Sequence, residues 1–353
     1  IVFFWGGTGP QTSPHDQTFN FGGSVSKSYS KVEKDYCTSE IRSDIDLSTI
    51  TNWNIVIDTD LLTQRSGEAF KKYALNFKDK SGKEISLRPD LTIATAIQYI
   101  QNKKKGVGKF SYFGSAFRLN KKGDLSVFDQ IGCEIINSKS SPEYLILSTI
   151  MSVFQKLKKT EIIINDLALF QNLINSLDLP RRWKLRLIRH RSRKEYFDEL
   201  LRRLDTNYDL DNEKIKIDYD RLTELKKMDI NKIIGGGTVE EIIERFEKKI
   251  KDPRDNFRGS HSVKIIKDFL RLKAPLDKSI YKLKNFFEKN NLKIKDLNTS
   301  ILKLKDLHRK FGSKYTISFN AQFGRETQYY TGIAFAVHKQ KKELARGGEY
   351  NNL

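Results

Sequence analysis

Two consecutive segments of strand-forming sequence constrain the fold more than any other feature of this chain. Residues 110–119 and 127–136 carry many aromatic and β-branched side chains, and the polar segment Asn-Lys-Lys-Gly-Asp at 120–124 separates them. Such runs on either side of a short glycine-containing loop are typical of antiparallel hairpins. We therefore predict a hairpin of two long strands, and a fold that is built around a sheet.

Shorter strands and helices are predicted on both sides of this hairpin. Alternating or apolar runs predict strands at residues 55–57, 73–77, 84–87, 161–164, 315–319 and 331–338. Helical periodicity predicts helices at 91–100, from Pro142 to about 157, and from Asp166 to about 177. Proline suits the first turn of a helix, and aspartate is a favoured N-cap.

The order of these patterns predicts the domain organisation. Residues 1–53 are polar and are assigned to a leader of uncertain structure, and residues 54–179 to the first half of a core. Residues 180–312 combine helical periodicity with dense charge, which predicts a helical insertion. Residues 313–353 return to strands, and we expect them to be a truncated second half. The predicted fold class is α+β, with an antiparallel sheet flanked by helices.

Composition excludes several classes of protein. The chain has 353 residues and a net charge of +20, which would attract polyanions, but the basic residues are spread along it rather than confined to one stripe. Its two cysteines are far apart and its five histidines are scattered, so we predict neither disulfide nor metal site, and a reducing cytoplasm. No apolar run approaches the ~20 residues of a transmembrane helix.

Three polar residues of the hairpin are candidates for a ligand site. Arg118 lies near the end of the first strand, where a guanidinium can grip a carboxylate or phosphate. Gln130 and Glu134 are four apart on the second strand and share a face, whereas Asp129 points the other way. Together they would suit a zwitterionic amino acid. A merely solvated face explains the spacing equally simply, and spacing alone favours it.

Further candidates lie outside the hairpin. Asp90 could offer a carboxylate to an ammonium group or cap the helix that follows it, and capping is favoured. Arg325 precedes the paired Tyr329 and Tyr330, a combination found in ligand pockets and equally at ordinary strand edges. The segment 346–348, Arg-Gly-Gly, predicts a tight turn where backbone can approach a ligand closely.

In this order, the segments resemble the histidyl-tRNA synthetase family of class II synthetases. The second class II motif, with its closing arginine, is matched at 113–118, and the family's Gln-x-x-x-Glu at 130–134. Leu-Arg-Pro-Asp-x-Thr is matched at 87–92, the arginine and paired tyrosines at 325–332, and a glycine-rich turn at 347–351. Within the family, the segments 166–183, 237–246 and 323–325 are most similar to regulatory subunits of ATP phosphoribosyltransferase.

The resemblance implies a histidine pocket. Asp90 and Glu134 would receive the ligand's ammonium group, and Arg118 its carboxylate. The implied histidine-binding set is completed by Thr92, Gln130, Arg325, Tyr329 and Tyr330. The resemblance further implies self-association, no cofactor, and a complex with the short-form catalytic subunit of ATP phosphoribosyltransferase.

Departures from the synthetase pattern indicate a subunit without catalytic activity. Positions where synthetases carry groups for ATP or histidine hold Asn120, Gln328, Ala336 and Glu349. The third class II motif and an anticodon-binding domain are not found, and tRNA is not an expected partner. We therefore predict a regulatory subunit that binds histidine. The alternatives are an active histidine–tRNA ligase and a basic nucleic-acid-binding protein that reuses the synthetase core.

Overall fold

The computed structural model divides into two compact units. One comprises Ile1–Phe170, Arg271–Asn285 and Asp296–Leu353, and the other Gln171–Leu270 and Phe286–Lys295. The structure describes residues 2–5, 54–66, 73–101, 106–120, 122–138, 142–154, 159–206, 212–229, 233–234, 237–250, 259–327, 329–340 and 342–351. The boundaries of the leader, the core halves and the helical insertion remain predictions.

An eight-stranded sheet forms the centre of the first unit. Its strands are β1 (Val2–Trp5), β5 (Gly108–Leu119), β6 (Leu125–Ile136), β7 (Thr160–Asp166), β10 (Lys273–Pro275), β11 (Thr316–Asn320), β12 (Ile333–Lys339) and β13 (Lys342–Gly348). They lie in the order β10-β11-β7-β12-β13-β1-β6-β5. Every neighbouring pair is antiparallel except β11 and β7. The predicted antiparallel sheet is confirmed, with one parallel pair.

The predicted hairpin of β5 and β6 is confirmed and is longer than expected. The two strands pair without interruption from Gly108 opposite Ile136 to Leu119 opposite Leu125. Two glycines lie opposite large side chains, Gly132 across from Tyr112 and Gly114 across from Gln130. A glycine has no side chain to fill the space beside its cross-strand partner. This register therefore leaves room for polar groups on the face of the hairpin that carries Tyr112 and Gln130.

Strand β1 was not predicted. It pairs with β13 on one side, where Val2 faces Gly347, and with β6 on the other, where Val2 faces Cys133. Its partners lie more than a hundred residues away in the sequence, so no local hairpin signal marks it. An isolated apolar stretch of four residues carries little periodicity by which to assign a strand.

The turn predicted at residues 346–348 is wrong, because these residues end strand β13. Arg346, Gly347 and Gly348 pair with Ala336, Phe335 and Ala334 of β12. Gly348 is required by packing rather than by a turn, because a Cβ at this position would lie 2.8 Å from the ring of Tyr330. Close approach of an aromatic ring to backbone is another reason for glycine in a strand.

A small sheet and several helices complete the first unit. The strands β2 (Val56–Asp58), β4 (Glu84–Leu87) and β3 (Asn76–Lys78) form a three-stranded antiparallel sheet. The helices that lie wholly in this unit are α1 (Thr59–Ser66), α2 (Leu91–Gln101), α3 (Pro142–Val153) and α11 (Leu297–Phe311). Asp90 and Asp166 cap the helices that follow them, by accepting hydrogen bonds from the backbone N–H groups of Ile93 and Ala168.

The second unit is made mostly of helices. Its elements are α5 (Arg181–Arg189), α6 (Lys194–Thr206), α7 (Asn212–Leu225), the two-residue strands β8 (Ile233–Ile234) and β9 (Gly237–Thr238), α8 (Val239–Ile250) and α9 (Gly259–Leu270). The helices α4 (Leu167–Ser176) and α10 (Leu276–Lys289) each have residues in both units. Thr238 and Glu241 exchange hydrogen bonds at the start of α8 and form a capping box. No helix in the part of the chain that the structure describes is long and apolar enough to span a bilayer.

Helix α5 offers a matched test of how this unit is stabilised. Leu187 is fully buried, whereas Leu185 on the same helix is 56% exposed. We expect Leu187→Ala to lower the free energy of unfolding by about 2–5 kcal/mol, because it removes buried methyl groups and leaves a cavity. Leu185→Ala should change it by less than about 0.5 kcal/mol. Denaturant unfolding of both variants measures the difference, and equal effects would contradict the packing of this helix.

Candidate functional site

The buried face of strand β6 carries two of the predicted site residues. Gln130 and Glu134 are both fully buried. Asp129 lies on the opposite face, where its carboxylate accepts a hydrogen bond of 3.0 Å from Ser115. Gln130 and Glu134 share one face of the strand and Asp129 lies on the other, as predicted. The interpretation that the face with Gln130 and Glu134 is solvated is wrong, because both side chains are buried. A buried carboxylate and a buried amide need partners inside the fold.

Glu134 accepts hydrogen bonds from the phenols of two tyrosines. Tyr112 donates to its Oε1 at 3.1 Å and Tyr350 to its Oε2 at 3.0 Å, and the Thr92 hydroxyl is a further partner. Burial raises the pKa of Glu134 to about 7, although these hydrogen bonds act in the opposite direction. Burial also raises the pKa of both tyrosines, so both are protonated donors at neutral pH.

Asp90 combines the two roles that the sequence left open. Its Oδ1 accepts the backbone N–H of Ile93 at 3.1 Å and caps helix α2. Its Oδ2 is buried and has no hydrogen-bond partner. Burial raises the pKa of Asp90, and the positive charge of Arg118 opposes that shift. One oxygen of the carboxylate thus stabilises the helix, while the other remains available to a ligand.

Gln130 links the same helix to the hairpin. Its Oε1 accepts a hydrogen bond of 3.0 Å from the backbone N–H of Leu91, the first residue of α2. Its Nε2 is buried without a hydrogen-bond partner. The Nε2 donor of Gln130 and the Oδ2 acceptor of Asp90, both without a hydrogen-bond partner, therefore belong to residues that contact the N-terminus of helix α2. Each such buried group costs about 1–3 kcal/mol unless something pairs with it.

Arg118 supplies the positive charge of the site. Its Nε donates to the carbonyl oxygen of Pro89 at 2.7 Å, and its guanidinium lies 5.0 Å from the ring centroid of Phe128. Burial lowers the pKa of Arg118, while Asp90 and Tyr329 favour its charged form. The contacts with Pro89 and Phe128 hold the guanidinium plane in one orientation, next to the segment that carries Asp90.

The paired tyrosines are buried beside these groups. Tyr329 and Tyr330 pack edge to face, with ring centroids 5.1 Å apart, and Tyr329 also packs against Tyr350 at 6.3 Å. Asp90, Glu134 and Arg118 all influence the pKa of Tyr329, which burial raises well above its ordinary value. Six predicted residues are thus joined by contacts or electrostatic interaction, namely Asp90, Thr92, Arg118, Glu134, Tyr329 and Tyr330. Gln130 reaches this group through the backbone of Leu91.

Arg325 is placed by an aromatic contact. Its guanidinium carbon lies 5.3 Å from the ring centroid of Phe170, in the first turn of helix α4. The preceding Gly324 has a φ of +78°, and a Cβ there would lie 2.7 Å from Ala334. Only glycine combines this positive φ with the close approach of Ala334, so glycine is required where the chain turns just before Arg325. Its role in ligand binding remains a prediction.

Tyr112 and Tyr350 are site residues that the sequence patterns did not predict. Tyr112 is six residues before Arg118 in β5, so the same parity argument that joined Gln130 and Glu134 would have placed it on the Arg118 face. Tyr350 lies two residues after the end of β13. Its position depends on how that strand meets the tyrosine pair, and no periodic pattern reveals it.

The arrangement suits a small ligand with both a cationic and an anionic group. Asp90 interacts electrostatically with the guanidinium of Arg118, and Glu134 is a second buried carboxyl group whose charge, like that of Asp90, acts on Tyr329. A ligand ammonium group would balance the second carboxylate and pair with the open oxygen of Asp90. Among the described residues no group of three or more His, Cys, Asp or Glu side chains could hold a metal ion.

A known family model matches most of the chain. Residues 56–353 match the family model described as histidyl-tRNA synthetase. The chain belongs to the histidyl-tRNA synthetase family. The resemblance inferred from the sequence motifs is confirmed at the level of the family, and the match covers both the hairpin and the strands β11 to β13.

Curated relatives of this family member carry the name ATP phosphoribosyltransferase regulatory subunit. One from Allorhizobium ampelinum is 24% identical over 310 residues, which cover 82% of each chain. One from Agrobacterium fabrum is 24% identical over 324 residues, covering 86% of this chain and 85% of the relative.

A solved structure supports the fold. It is named ATP phosphoribosyltransferase regulatory subunit/histidyl-tRNA synthetase, comes from Bacillus halodurans, and has a TM-score of 0.60 at 15% identity. The likeness covers 92% of this chain and 73% of that one. At this identity it shows the class II synthetase-like fold of the family member and nothing about its ligand.

The raised pKa of Glu134 predicts how the stability of the ligand-free protein depends on pH. The folded protein holds this proton with a pKa of about 7, against an ordinary value of 4.5. Because the folded state binds the proton more tightly, the contribution of Glu134 to stability must fall as pH rises between these values. We expect Glu134→Gln to show a smaller decline in melting temperature across this range than the unmodified protein. Parallel curves would contradict the burial of an ionisable carboxyl here.

Proposed function

We propose that this chain is the regulatory subunit of an ATP phosphoribosyltransferase, the first enzyme of histidine biosynthesis, and that it binds histidine without aminoacylating tRNA. The names of its relatives support the regulatory role. We further propose a cytoplasmic location and a complex with the short-form catalytic subunit. The chemistry of the pocket supports histidine as the ligand.

The observation that carries the ligand proposal is the unsatisfied pair at the start of helix α2. The open Oδ2 of Asp90 is an acceptor for an ammonium group, and Glu134 is a second carboxyl group in the same buried site. Arg118 would bind the ligand carboxylate through parallel hydrogen bonds. Thr92 and Gln130 would complete the polar wall, and Tyr329, Tyr330 and Arg325 the side toward the imidazole and carboxylate.

The loop between β5 and β6 supports the loss of aminoacylation. Asn120 stands where synthetases carry a glutamate that helps to hold ATP. Here its Oδ1 accepts the backbone N–H groups of Lys122 and Asp124, at 2.8 and 3.0 Å. Its Nδ2 donates to the carboxylate of Asp124 at 3.0 Å. These hydrogen bonds stabilise the hairpin loop itself, and the amide carries no charge with which to organise a nucleotide.

The other departures remove further groups of the synthetase pattern. Ala336 is fully buried in strand β12 and has no polar side chain to offer. Glu349 places a negative charge where the family carries an arginine, which would repel phosphate. Gln328 lies outside the described residues. An amino-acid pocket can persist without these groups, because binding an amino acid does not require stabilising charge on a phosphorus centre.

Calorimetry with L-histidine tests the pocket directly. We expect Glu134→Gln to weaken binding by roughly 10- to 100-fold, the effect of losing a charged hydrogen bond. Asp129→Asn is the matched control on the opposite face of the same strand, where Asp129 contacts Ser115, and it should bind histidine normally. Loss of binding in both variants, or in neither, would refute the assignment.

Ligand analogues separate the two ends of the pocket. Histamine lacks the carboxylate that Arg118 would bind, and imidazolelactate lacks the ammonium group assigned to Asp90 and Glu134. Glu134→Gln should discriminate less between histidine and imidazolelactate than the unmodified protein, because the variant has lost a charge that only histidine uses. The discrimination against histamine should be unaffected.

Exchange of pyrophosphate into ATP distinguishes the regulatory subunit from an active histidine–tRNA ligase. We expect no histidine-dependent exchange by this protein, because groups on the ATP side have been replaced. Robust exchange would overturn the proposal in favour of the ligase, for which Arg118 and Arg325 are the retained groups. A synthetase that is active under the same conditions is the positive control.

The same preparation should be added to a short-form phosphoribosyltransferase. We expect the two proteins to co-sediment and histidine to alter the transferase rate only when both are present. Histidine can shift the complex between two states only by its difference in affinity for them. The Glu134→Gln variant should still associate but should no longer transmit the histidine effect.

A further inference from the structure

A charged cluster outside the pocket joins two helices to the segment after strand β13. The Lys303 ammonium, on helix α11, lies 3.0 Å from Oε1 of Glu143 and 3.1 Å from Oε2 of Glu349. Glu143 belongs to the first turn of helix α3, and Glu349 follows β13. We call Glu143, Lys303 and Glu349 the lysine bridge. A single cation between two carboxylates is more strongly fixed than either ion pair alone.

The lysine bridge has a partly buried environment. The side chains of Glu143 and Glu349 are 10% and 22% exposed, and that of Lys303 37%. Burial alone would lower the pKa of Lys303, but the two glutamates raise it above its ordinary value. One turn earlier on α11, Ser300 binds the carboxyl of buried Asp166. Helix α11 therefore presents two side chains, three residues apart, to the end of the sheet.

Glu349 is held tightly on the other side of its carboxylate. A Cβ on Gly332 would lie 2.1 Å from Oε2 of Glu349, so the carboxylate packs directly on backbone. The side chain of Asn351 donates to Oε1 of Glu349 at 3.1 Å. The backbone of Glu349 pairs with Thr331 and Ile333, at 2.8 and 2.7 Å. Residue 349 is thereby anchored through both its main chain and its carboxylate.

The next residue along the chain belongs to the pocket. Tyr350 donates its phenol proton to Oε2 of Glu134 at 3.0 Å and packs its ring against Tyr329. Its backbone lies between the anchored Glu349 and Asn351, whose N–H donates to Thr331 at 3.1 Å. The phenol that contacts Glu134 thus belongs to the residue directly after the one that Lys303 holds.

We propose that Lys303 is a positioning residue for the histidine pocket, which it serves by holding Glu349 and so fixing the phenol of Tyr350 against Glu134. The inference rests on the proposed function, since it assumes that Glu134 receives the ligand. Lys303 itself does not touch the ligand. With the phenol fixed, Glu134 is oriented before histidine arrives, and less ordering is needed on binding.

The test is histidine affinity measured by calorimetry on the full chain. Lys303→Met removes the charge and keeps an unbranched stem, and we expect binding to weaken on the order of tenfold. Lys303→Arg should restore most of the affinity, because it returns a cation within reach of both glutamates. Arg309→Met is the matched control: it breaks an exposed ion pair with Asp306 on the same helix, and binding should not change.

The two carboxylates of the lysine bridge should differ in effect. Glu349→Gln breaks the connection to Tyr350 and should weaken binding about as much as Lys303→Met. Glu143→Gln leaves Lys303 paired with Glu349 and should have a smaller effect. Because Glu349→Gln keeps the shape of the side chain, it maintains the test if Lys303→Met unfolds the protein, which melting temperatures will reveal.

A double-mutant cycle separates positioning from general stability. Tyr350→Phe removes the phenol donor, and we expect the Lys303→Met/Tyr350→Phe protein to bind only about as weakly as the weaker single variant. Additive losses, roughly a hundredfold in total, would show that Lys303 acts by another route and would overturn the inference. So would normal binding by both Lys303→Met and Glu349→Gln. If the unmodified protein binds no histidine, the proposed function itself fails, and this inference with it.

Discussion

The burial of two carboxyl groups, those of Asp90 and Glu134, is the constraint on which the first compact unit depends. Ionised groups out of water are costly unless they are paired and hydrogen-bonded. The fold meets this demand from several directions: helix α2 presents backbone N–H groups to Asp90 and Gln130, and strand β5 presents Tyr112 to Glu134. The packing of α2 on the hairpin is therefore inseparable from the chemistry of the pocket.

Local patterns in the sequence were enough to predict the hairpin, its parity and most of the strands and helices. They could not predict that the face with Gln130 and Glu134 is buried, because periodicity does not show which elements pack against a strand. The choice between a capping and a ligand-binding role for Asp90 could not be made from the sequence, because the two carboxylate oxygens differ: one caps helix α2 and the other is open. Strand β1 and the role of Tyr350 depend on partners more than a hundred residues away, which periodicity cannot reveal. The two glycines at 347–348 suggested a turn, whereas these residues extend strand β13 along the neighbouring strand β12.

Under the proposed function, one fold would keep a ligand and lose a reaction. The groups assigned to the amino acid lie on the buried face of β6, at the start of α2 and in the tyrosine pair, where the core fixes them. The groups that synthetases use for ATP lie in the hairpin loop and beyond β13, where replacement disturbs packing less. In this chain Asn120 now stabilises its own loop, and Glu349 joins an ion-pair cluster instead of meeting a phosphate. Function follows the site rather than the fold.

The parallel pairing of β7 with β11 has a consequence for how the chain reaches its native state. The two strands are separated by about 150 residues, among them the whole of the second unit. During synthesis on a ribosome, the helices of that unit can form before β11 and β12, the two neighbours of β7 in the sheet, have been synthesised. The contact order of the sheet is high, so its closure should be slow and late. Until then β7 exposes two open edges, and the nascent chain is most prone to aggregation during that interval.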